Sequence, residues 1–281
     1  MTNSNELDIS VIIPFKDKSS MTLACVNSLR KFGPNVKEIL LVSNNSKDTE
    51  LNIVRVGVEK YNNTNVITYN KPFNYQKINN WAVKKTSGKF ILFLNNDTEL
   101  NQHSVGLLEK MYDKAALPDV GAVGCLLMFA GERKIQHAGV FLVPGGLAEH
   151  MYISSRLSQA LNEGGSTKEY PYDITKDIPM TAVTGAVTLV ERKKFYTVNG
   201  FDERFIICGG DVDLCIRLNA ANFQTWFVGG PSYIIHKESI SRKFTPIPYS
   251  DFYWSYMSYV KGYDDVLGDP FLPKISRLIN Y

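Results

Sequence analysis

The sequence predicts an α/β fold in which a mostly parallel sheet is joined by helical crossovers. Two observations predict it. Between residues 9 and 100, short apolar or β-branched runs alternate with segments of helical spacing. Several of those runs also stop at polar loops, as buried strands do where their carboxyl ends reach solvent. The sharpest is Phe90-Ile91-Leu92-Phe93-Leu94, which ends on Asn95-Asn96-Asp97. Ligands of open α/β sheets sit just outside such ends, so Asp97 is aimed at a crevice. The plainer alternative is a cap on a helix opening at Thr98-Glu99-Leu100.

The elements come in order along the chain. Residues 9–14 are β-branched and apolar and read as a first, central strand ended by Pro14, with Phe15-Lys16-Asp17-Lys18 as its loop. Leu23, Val26 and Leu29 give residues 21–31 a helical spacing, stopped by Gly33-Pro34. Residues 38–42 form a second strand with a polar loop from Ser43 to Asp48, and residues 51–61 a helix. A third strand spans 65–69, and a helix over 75–85 is closed by Gly88 before the strand at 90–94. In the second half, 120–129, 136–142 and 181–190 read as strands, the last interrupted at Gly185. Residues 154–177 lack periodicity and read as a long loop. A helix over 211–221 and strands at 224–228 and 233–236 come next, then a tail from Thr245 rich in proline and aromatics.

Composition excludes several classes. With 44% apolar and 21% charged residues, this is an ordinary soluble chain. A net charge of +3 gives no argument for nucleic acid. Four cysteines form no C-x-x-C pair, so neither a zinc ribbon nor a redox motif is supported. Cys25 and Cys125 fall in helical and apolar stretches and suit buried thiols of a reducing compartment. The first eight residues lack an apolar signal core, and no run approaches the roughly 18 residues that cross a bilayer. The expectation is a cytoplasmic protein, meeting the inner face of a membrane only by peripheral association. The first strand is followed by no G-x-G-x-x-G, and G-x-x-x-x-G-K-[ST], G-x-S-x-G and H-E-x-x-H are absent.

There remains a set of polar groups at strand ends, suited to handling a diphosphate. A divalent metal bridging phosphate oxygens is held by one or two carboxylates, and Asp97 offers one. A distant His236 could complete the coordination, which manganese tolerates better than magnesium. Asp211 could serve as the base for a nucleophilic hydroxyl. The alternatives stay open: Asp211 as an N-cap, and His236 as a hydrogen-bonded core histidine.

Several stretches then match a known pattern. They are Ile12-Ile13-Pro14-Phe15-Lys16-Asp17-Lys18, Pro72-Phe73-Asn74-Tyr75 with Ile78-Asn79-Asn80, and Leu94-Asn95-Asn96-Asp97-Thr98. Further on come Gln136-His137-Ala138-Gly139-Val140, Asn199-Gly200-Phe201-Asp202-Glu203, Asp211-Val212-Asp213-Leu214-Cys215-Ile216-Arg217 and His236-Lys237-Glu238-Ser239-Ile240-Ser241-Arg242. In order and spacing the chain resembles the family 2 glycosyltransferases of GT-A fold, especially the bacterial branch that builds surface polysaccharides, rhamnosyltransferases among them. The likeness covers residues 9–243 and, weakly, Asp269-Pro270-Phe271.

The resemblance implies a single α/β/α sandwich with a Rossmann-like sheet and a smaller mixed sheet on the acceptor side. It implies one domain over 1–281: a nucleotide-sugar half (9–100), a metal and acceptor half (101–243) and an aromatic tail (244–281). Asp97 and His236 would hold Mn2+ or Mg2+, with Asn96 lining that site. Asp211 matches the catalytic base. Pro14, Lys16, Asp17, Ser43, Asp48 and Asn74 fall where the donor nucleotide is gripped, and Arg242 would neutralise the departing diphosphate. The activity implied is an inverting, metal-dependent transfer of a hexosyl or deoxyhexosyl group. It would run from a nucleoside-diphosphate sugar to a glycan or lipid-linked saccharide, with acceptor contacts around His150 and Thr184-Gly185-Ala186.

Two positions depart from the pattern. Ser43 stands where an aspartate commonly meets the base, and Gly210 replaces a polar residue, which predicts a looser loop before Asp211. They support a rival reading, a catalytically inactive nucleotide-sugar-binding module. A sugar-1-phosphate nucleotidyltransferase is disfavoured, because the first strand is not followed by a glycine- and arginine-rich loop.

Overall fold

The computed structural model describes residues 6–131, 133–143, 147–162, 172–237 and 246–262. The first half runs β1 (Leu7–Phe15), α1 (Ser19–Phe32), β2 (Val36–Ser43), α2 (Asp48–Val58), β3 (Thr64–Thr68), α3 (Tyr75–Val83), β4 (Phe90–Leu94) and β5 (Thr98–Glu99). Next come α4 (Leu107–Ala115), β6 (Val120–Cys125), β7 (Leu127–Met128), β8 (Ile135–His137), β9 (Val140–Val143), β10 (Leu147–His150) and α5 (Leu157–Asn162). The last are β11 (Ile178–Met180), β12 (Val187–Glu191), α6 (Arg192–Thr197), α7 (Gly210–Ala220), β13 (Gln224–Val228), β14 (Ile234–His236) and α8 (Tyr249–Gly262).

The main sheet has the order β11-β13-β6-β12-β4-β1-β2-β3. β1, β2, β3 and β4 pair in parallel, while β12 enters antiparallel between β4 and β6. The unbroken apolar run of β4 has a simple cause: both faces of the sheet are covered. Phe90, Leu92 and Leu94 pack with α1 and α4, whereas Ile91 and Phe93 pack with α3 and α7. Burial of each such side chain contributes about 2 kcal/mol, so the strand that ends at Asp97 is firmly held. A smaller mixed sheet, β5-β14-β7-β8, and a β9–β10 hairpin stand beside it.

Several boundaries differ from the expectation. Pro14 does not end β1, which runs on to Phe15. Phe15 C=O accepts from Asn44 N–H at 2.8 Å, so the alternate residue Pro14 turns its backbone to the β4 side. There β4 pairs no further than Phe93 opposite Ile12, and the missing N–H breaks nothing. The run 120–129 is two strands in two sheets, split at Leu126. Residues 136–142 are likewise split, at Gly139, whose φ of 112° an L side chain rarely adopts. Only 187–190 of the strand expected at 181–190 belongs to a strand, and Thr184, Gly185 and Ala186 line a cavity instead. The expected loop at 154–177 contains α5, and the aromatic tail contains α8. Thr98-Glu99 is a strand, so Asp97 caps no helix. Among the described residues no helix is long and apolar enough to cross a membrane.

Candidate active site

At the carboxyl ends of β1, β2 and β4 lies a cavity of about 1040 Å³, large enough for a nucleotide with a sugar attached. Asp97, Asp211 and His236 all line it.

Strand pairing brings the first pair together. β14 lies antiparallel to β5 with His236 opposite Thr98, and Lys237 N–H donates to Asp97 C=O at 2.9 Å. The result is His236 Nε2 at 3.1 Å from Asp97 Oδ1, with both side chains buried. His236 Nδ1 lies 2.6 Å from Gln136 Oε1. An amide oxygen only accepts, so Nδ1 donates to Gln136 and Nε2 is the nitrogen that faces Asp97. A carboxylate and an imidazole in this tautomer fit a divalent cation. Bonds of about 2.1 Å to adjacent octahedral positions set ligand atoms about 3 Å apart. Among the described residues no group of three or more His, Cys, Asp or Glu side chains is suited to a metal. A cation here would therefore take its other ligands from substrate and water.

Asp211 is reached through a turn at Gly209, whose φ is 85°. Its Oδ2 accepts from Gly185 N–H at 2.7 Å and its Oδ1 from Val212 N–H at 3.0 Å. On the other side of Gly185, the Tyr75 hydroxyl donates to the carbonyl at 2.9 Å. Burial, with the Asp211 charge adding to it, pushes the Tyr75 phenol well above its ordinary value, so it stays a fixed donor. The neighbouring carboxylate behaves differently. Asp213 is buried, with Oδ2 2.8 Å from Arg217 Nε and 2.6 Å from Arg217 Nη2, and with Oδ1 accepting from Ser258 Oγ at 2.6 Å.

Of the donor-side positions, Pro14, Lys16, Asp17 and Asn96 line the cavity. Asp17 and Lys18 both have φ of 52°, a left-handed pair rare outside constrained loops. Ties to the second loop hold them: Asp17 N–H donates to Ser46 Oγ at 2.9 Å, and Lys47 N–H to Asp17 Oδ1 at 2.8 Å. Three positions fall elsewhere. Ser43 is wholly buried and off the wall, which the next residue, Asn44, forms. Asp48 is exposed as the first residue of α2. Asn74 caps α3: its Oδ1 accepts from Lys77 N–H at 2.8 Å and its Nδ2 donates to Glu203 C=O at 3.0 Å. Both ends of its amide are used inside the fold. Asn74→Ala is accordingly expected to lower stability by about 1 kcal/mol while leaving nucleotide affinity unchanged, measured by denaturant titration and calorimetry. Arg242 and Asp269-Pro270-Phe271 lie outside the described residues.

The loop before Asp211 is tied down, because Ile206, Ile207 and Cys208 N–H all donate to the Asp251 carboxylate. Gly210 is buried, and a Cβ there would meet the Gln76 side chain at 2.5 Å. His150 and Thr184-Gly185-Ala186 also line the cavity. His150 Nδ1 lies 3.2 Å from Nδ1 of the wholly buried His137, which burial holds well below its ordinary pKa. Gln136 and Tyr75 fall inside the matching stretches, yet nothing in the sequence signalled their roles as partners of His236 and Gly185. Asp251, in the tail, carried no signal.

A family model described as glycosyl transferase family 2 matches residues 10–163. A second, described as the N-terminal domain of galactosyltransferase, matches residues 171–239. The O-antigen biosynthesis protein RfbC of Myxococcus xanthus is 37% identical over 268 residues, covering 94% of this chain and 20% of that protein. The chain thus spans about a fifth of that relative's length. Among solved structures, GalNAc-T7 with UDP, GalNAc and Mn2+ superposes with a TM-score of 0.66 at 16% identity, covering 83% of this chain and 44% of that one. Staphylococcus aureus TarS 1-349 with UDP-GlcNAc gives 0.62 at 15% identity, covering 92% and 67%. At such identities the likeness is one of fold, and the fold is GT-A. Because the first family model spans more than half of the chain, the protein belongs to glycosyl transferase family 2.

Proposed function

We propose that the chain moves a sugar, with inversion, from a nucleoside-diphosphate donor to a hydroxyl of a glycan or lipid-linked saccharide in surface-polysaccharide synthesis. The reading rests above all on the 3.1 Å approach of His236 Nε2 to Asp97 Oδ1 in the cavity that Asp211 also lines. Asp97 and His236 would hold Mn2+ or Mg2+, and Gln136 would keep the imidazole in its ligating tautomer. A bound divalent cation offsets charge on the diphosphate. Asp211 would accept the proton of the acceptor hydroxyl as that hydroxyl's oxygen attacks the anomeric carbon and the nucleoside diphosphate leaves from the opposite face. One displacement inverts that carbon and needs no nucleophile from the protein.

On this reading Pro14, Lys16, Asp17, Asn44 and Asn96 grip the donor within the first half. His150 and the wall at 184–186 meet the acceptor. Transfer of a hexosyl or deoxyhexosyl group at the inner face of a membrane belongs to the same proposal. The three amides of 206–208 tied to Asp251 hold the loop before Asp211, which weighs against a catalytically inactive binding module.

A panel of UDP-, GDP- and dTDP-sugars tests the reading by thermal shift, with Mn2+ and with a chelator. A ligand at a hundred times its Kd adds about 2.7 kcal/mol, so a true donor raises Tm clearly, and more with Mn2+. A panel in which no member raises Tm overturns the proposal. In Gln136→Leu the Mn2+ affinity measured with the selected donor is expected to fall about 10- to 100-fold, the usual scale for a lost outer partner of a metal-ligating histidine.

A further inference from the structure

The aromatic tail returns to the active site. Asp251, in the first turn of α8, is wholly inaccessible to solvent. Its Oδ1 accepts from Ile206 N–H at 2.8 Å, and its Oδ2 from Ile207 N–H at 2.8 Å and Cys208 N–H at 3.1 Å. Those three amides lead directly into the Gly209 turn and Asp211. The same helix also grips the turn and the start of α7: the Tyr259 hydroxyl donates to Gly209 C=O at 3.1 Å, and Ser258 Oγ to Asp213 Oδ1 at 2.6 Å. From the opposite side Tyr75 N–H donates to Ile206 C=O at 2.9 Å. Room to shift is small, since a Cβ on Gly209 would lie 2.5 Å from Ser255 Oγ.

A buried carboxylate that accepts three consecutive amides fixes more than fold. Residues 206–208 run straight into the turn, whose Gly209 carbonyl is itself held by Tyr259, so a movement there is passed on to Asp211. We propose that Asp251 is a positioning residue for Asp211: it sets the distance from that carboxylate to the acceptor hydroxyl without touching the reacting atoms. This rests on the reading of Asp211 as base. Asparagine at 251 keeps one acceptor oxygen and turns an NH2 group toward the remaining amide or amides, so at least one hydrogen bond is lost whichever way it sits.

The test compares wild type, Asp251→Asn, Asp211→Asn and the double variant. The probe is the nucleotide-sugar that raises Tm most in the thermal-shift panel, with Mn2+ present. Donor affinity is read by thermal shift, turnover by nucleoside-diphosphate release with water as acceptor, and loop order by hydrogen exchange at 206–208. Asp251→Asn is expected to exchange faster there, to keep its donor affinity, and to lose about 10²-fold in turnover, the scale of a displacement near 1 Å. The double variant is expected to fall no further than Asp211→Asn alone, because one residue acts through the other. Should Asp251→Asn not fold, Tyr259→Phe removes only the hydroxyl on Gly209 and carries the same test with a smaller loss. Wild-type turnover in Asp251→Asn, loss of donor affinity with it, or a double variant whose loss is the product of the single losses would each overturn the proposal. Full turnover in Asp211→Asn sinks the base reading instead, whatever Asp251→Asn does.

Discussion

Asp97→Ala is expected to lose the Mn2+-dependent part of donor binding, on the order of 10²-fold or more. Loss of a mere outer partner of a metal ligand already reaches 10- to 100-fold. Residual affinity is expected to match that of the wild-type protein in chelator, because most of the residues proposed to grip the nucleotide, Pro14, Lys16, Asp17 and Asn44, lie on other loops. The fold is expected to survive. The bridge between β5 and β14 uses the backbone of Asp97, not its carboxylate: Lys237 N–H donates to the main-chain oxygen. β4 is anchored by five buried apolar side chains, and His236 keeps Gln136 as a partner. Calorimetric titration of the donor, with and without Mn2+, checks this, with circular dichroism as the control on folding. A well-folded variant whose affinity still rises with Mn2+ as in the wild type would remove Asp97 from the metal site.

Much of the frame could be read from the residues, and the reason is periodicity. Strands buried on both faces are written as continuous apolar runs, and the crossover helices between them carry their own spacing. That is why β1 to β4 and α1 to α3 were legible, and with them the strand end at Asp97. The second half was less so, because its strands are short and change sheets. β6 and β7 read as one run, yet they belong to different sheets. Nothing local marks Leu126 as the crossing point. The site depends on such long-range events. His236 meets Asp97 only because β14 pairs with β5, a two-residue strand that propensity alone does not reveal. The burial of Ser43 was hidden for the same reason, whereas the Asn74 cap on Lys77 N–H is local and only its bond to Glu203 C=O is long-range. A polar residue at a strand end faces either the crevice or the fold, and one residue of register decides which. Asp251 is a further case, since its three amide partners lie more than forty residues away.

Asp211→Asn is expected to lower turnover by about 10²–10⁴-fold, the usual contribution of a general base. Donor affinity is expected to stay near that of the wild type, because the carboxylate serves the accepting hydroxyl and not the diphosphate. The amide is nearly isosteric and its oxygen still accepts from Gly185 N–H, so the wall at 184–186 keeps its shape. Asp213, two residues on, is the control. Its carboxylate is buried between Arg217 and Ser258, and Arg217 in turn donates through Nη1 to Gly200 C=O at 2.8 Å. Asp213→Asn weakens a charge-assisted pair and is expected to cost about 2 kcal/mol, roughly 5 °C in Tm for a chain of this size. Turnover per folded molecule is expected to fall much less than in Asp211→Asn. Steady-state rates of nucleoside-diphosphate release at saturating donor, normalised to the folded fraction, separate the two outcomes. If turnover survives in Asp211→Asn and collapses in a well-folded Asp213→Asn, the base is Asp213. If both variants keep full turnover, no carboxylate at this helix end takes the proton and the displacement needs another base.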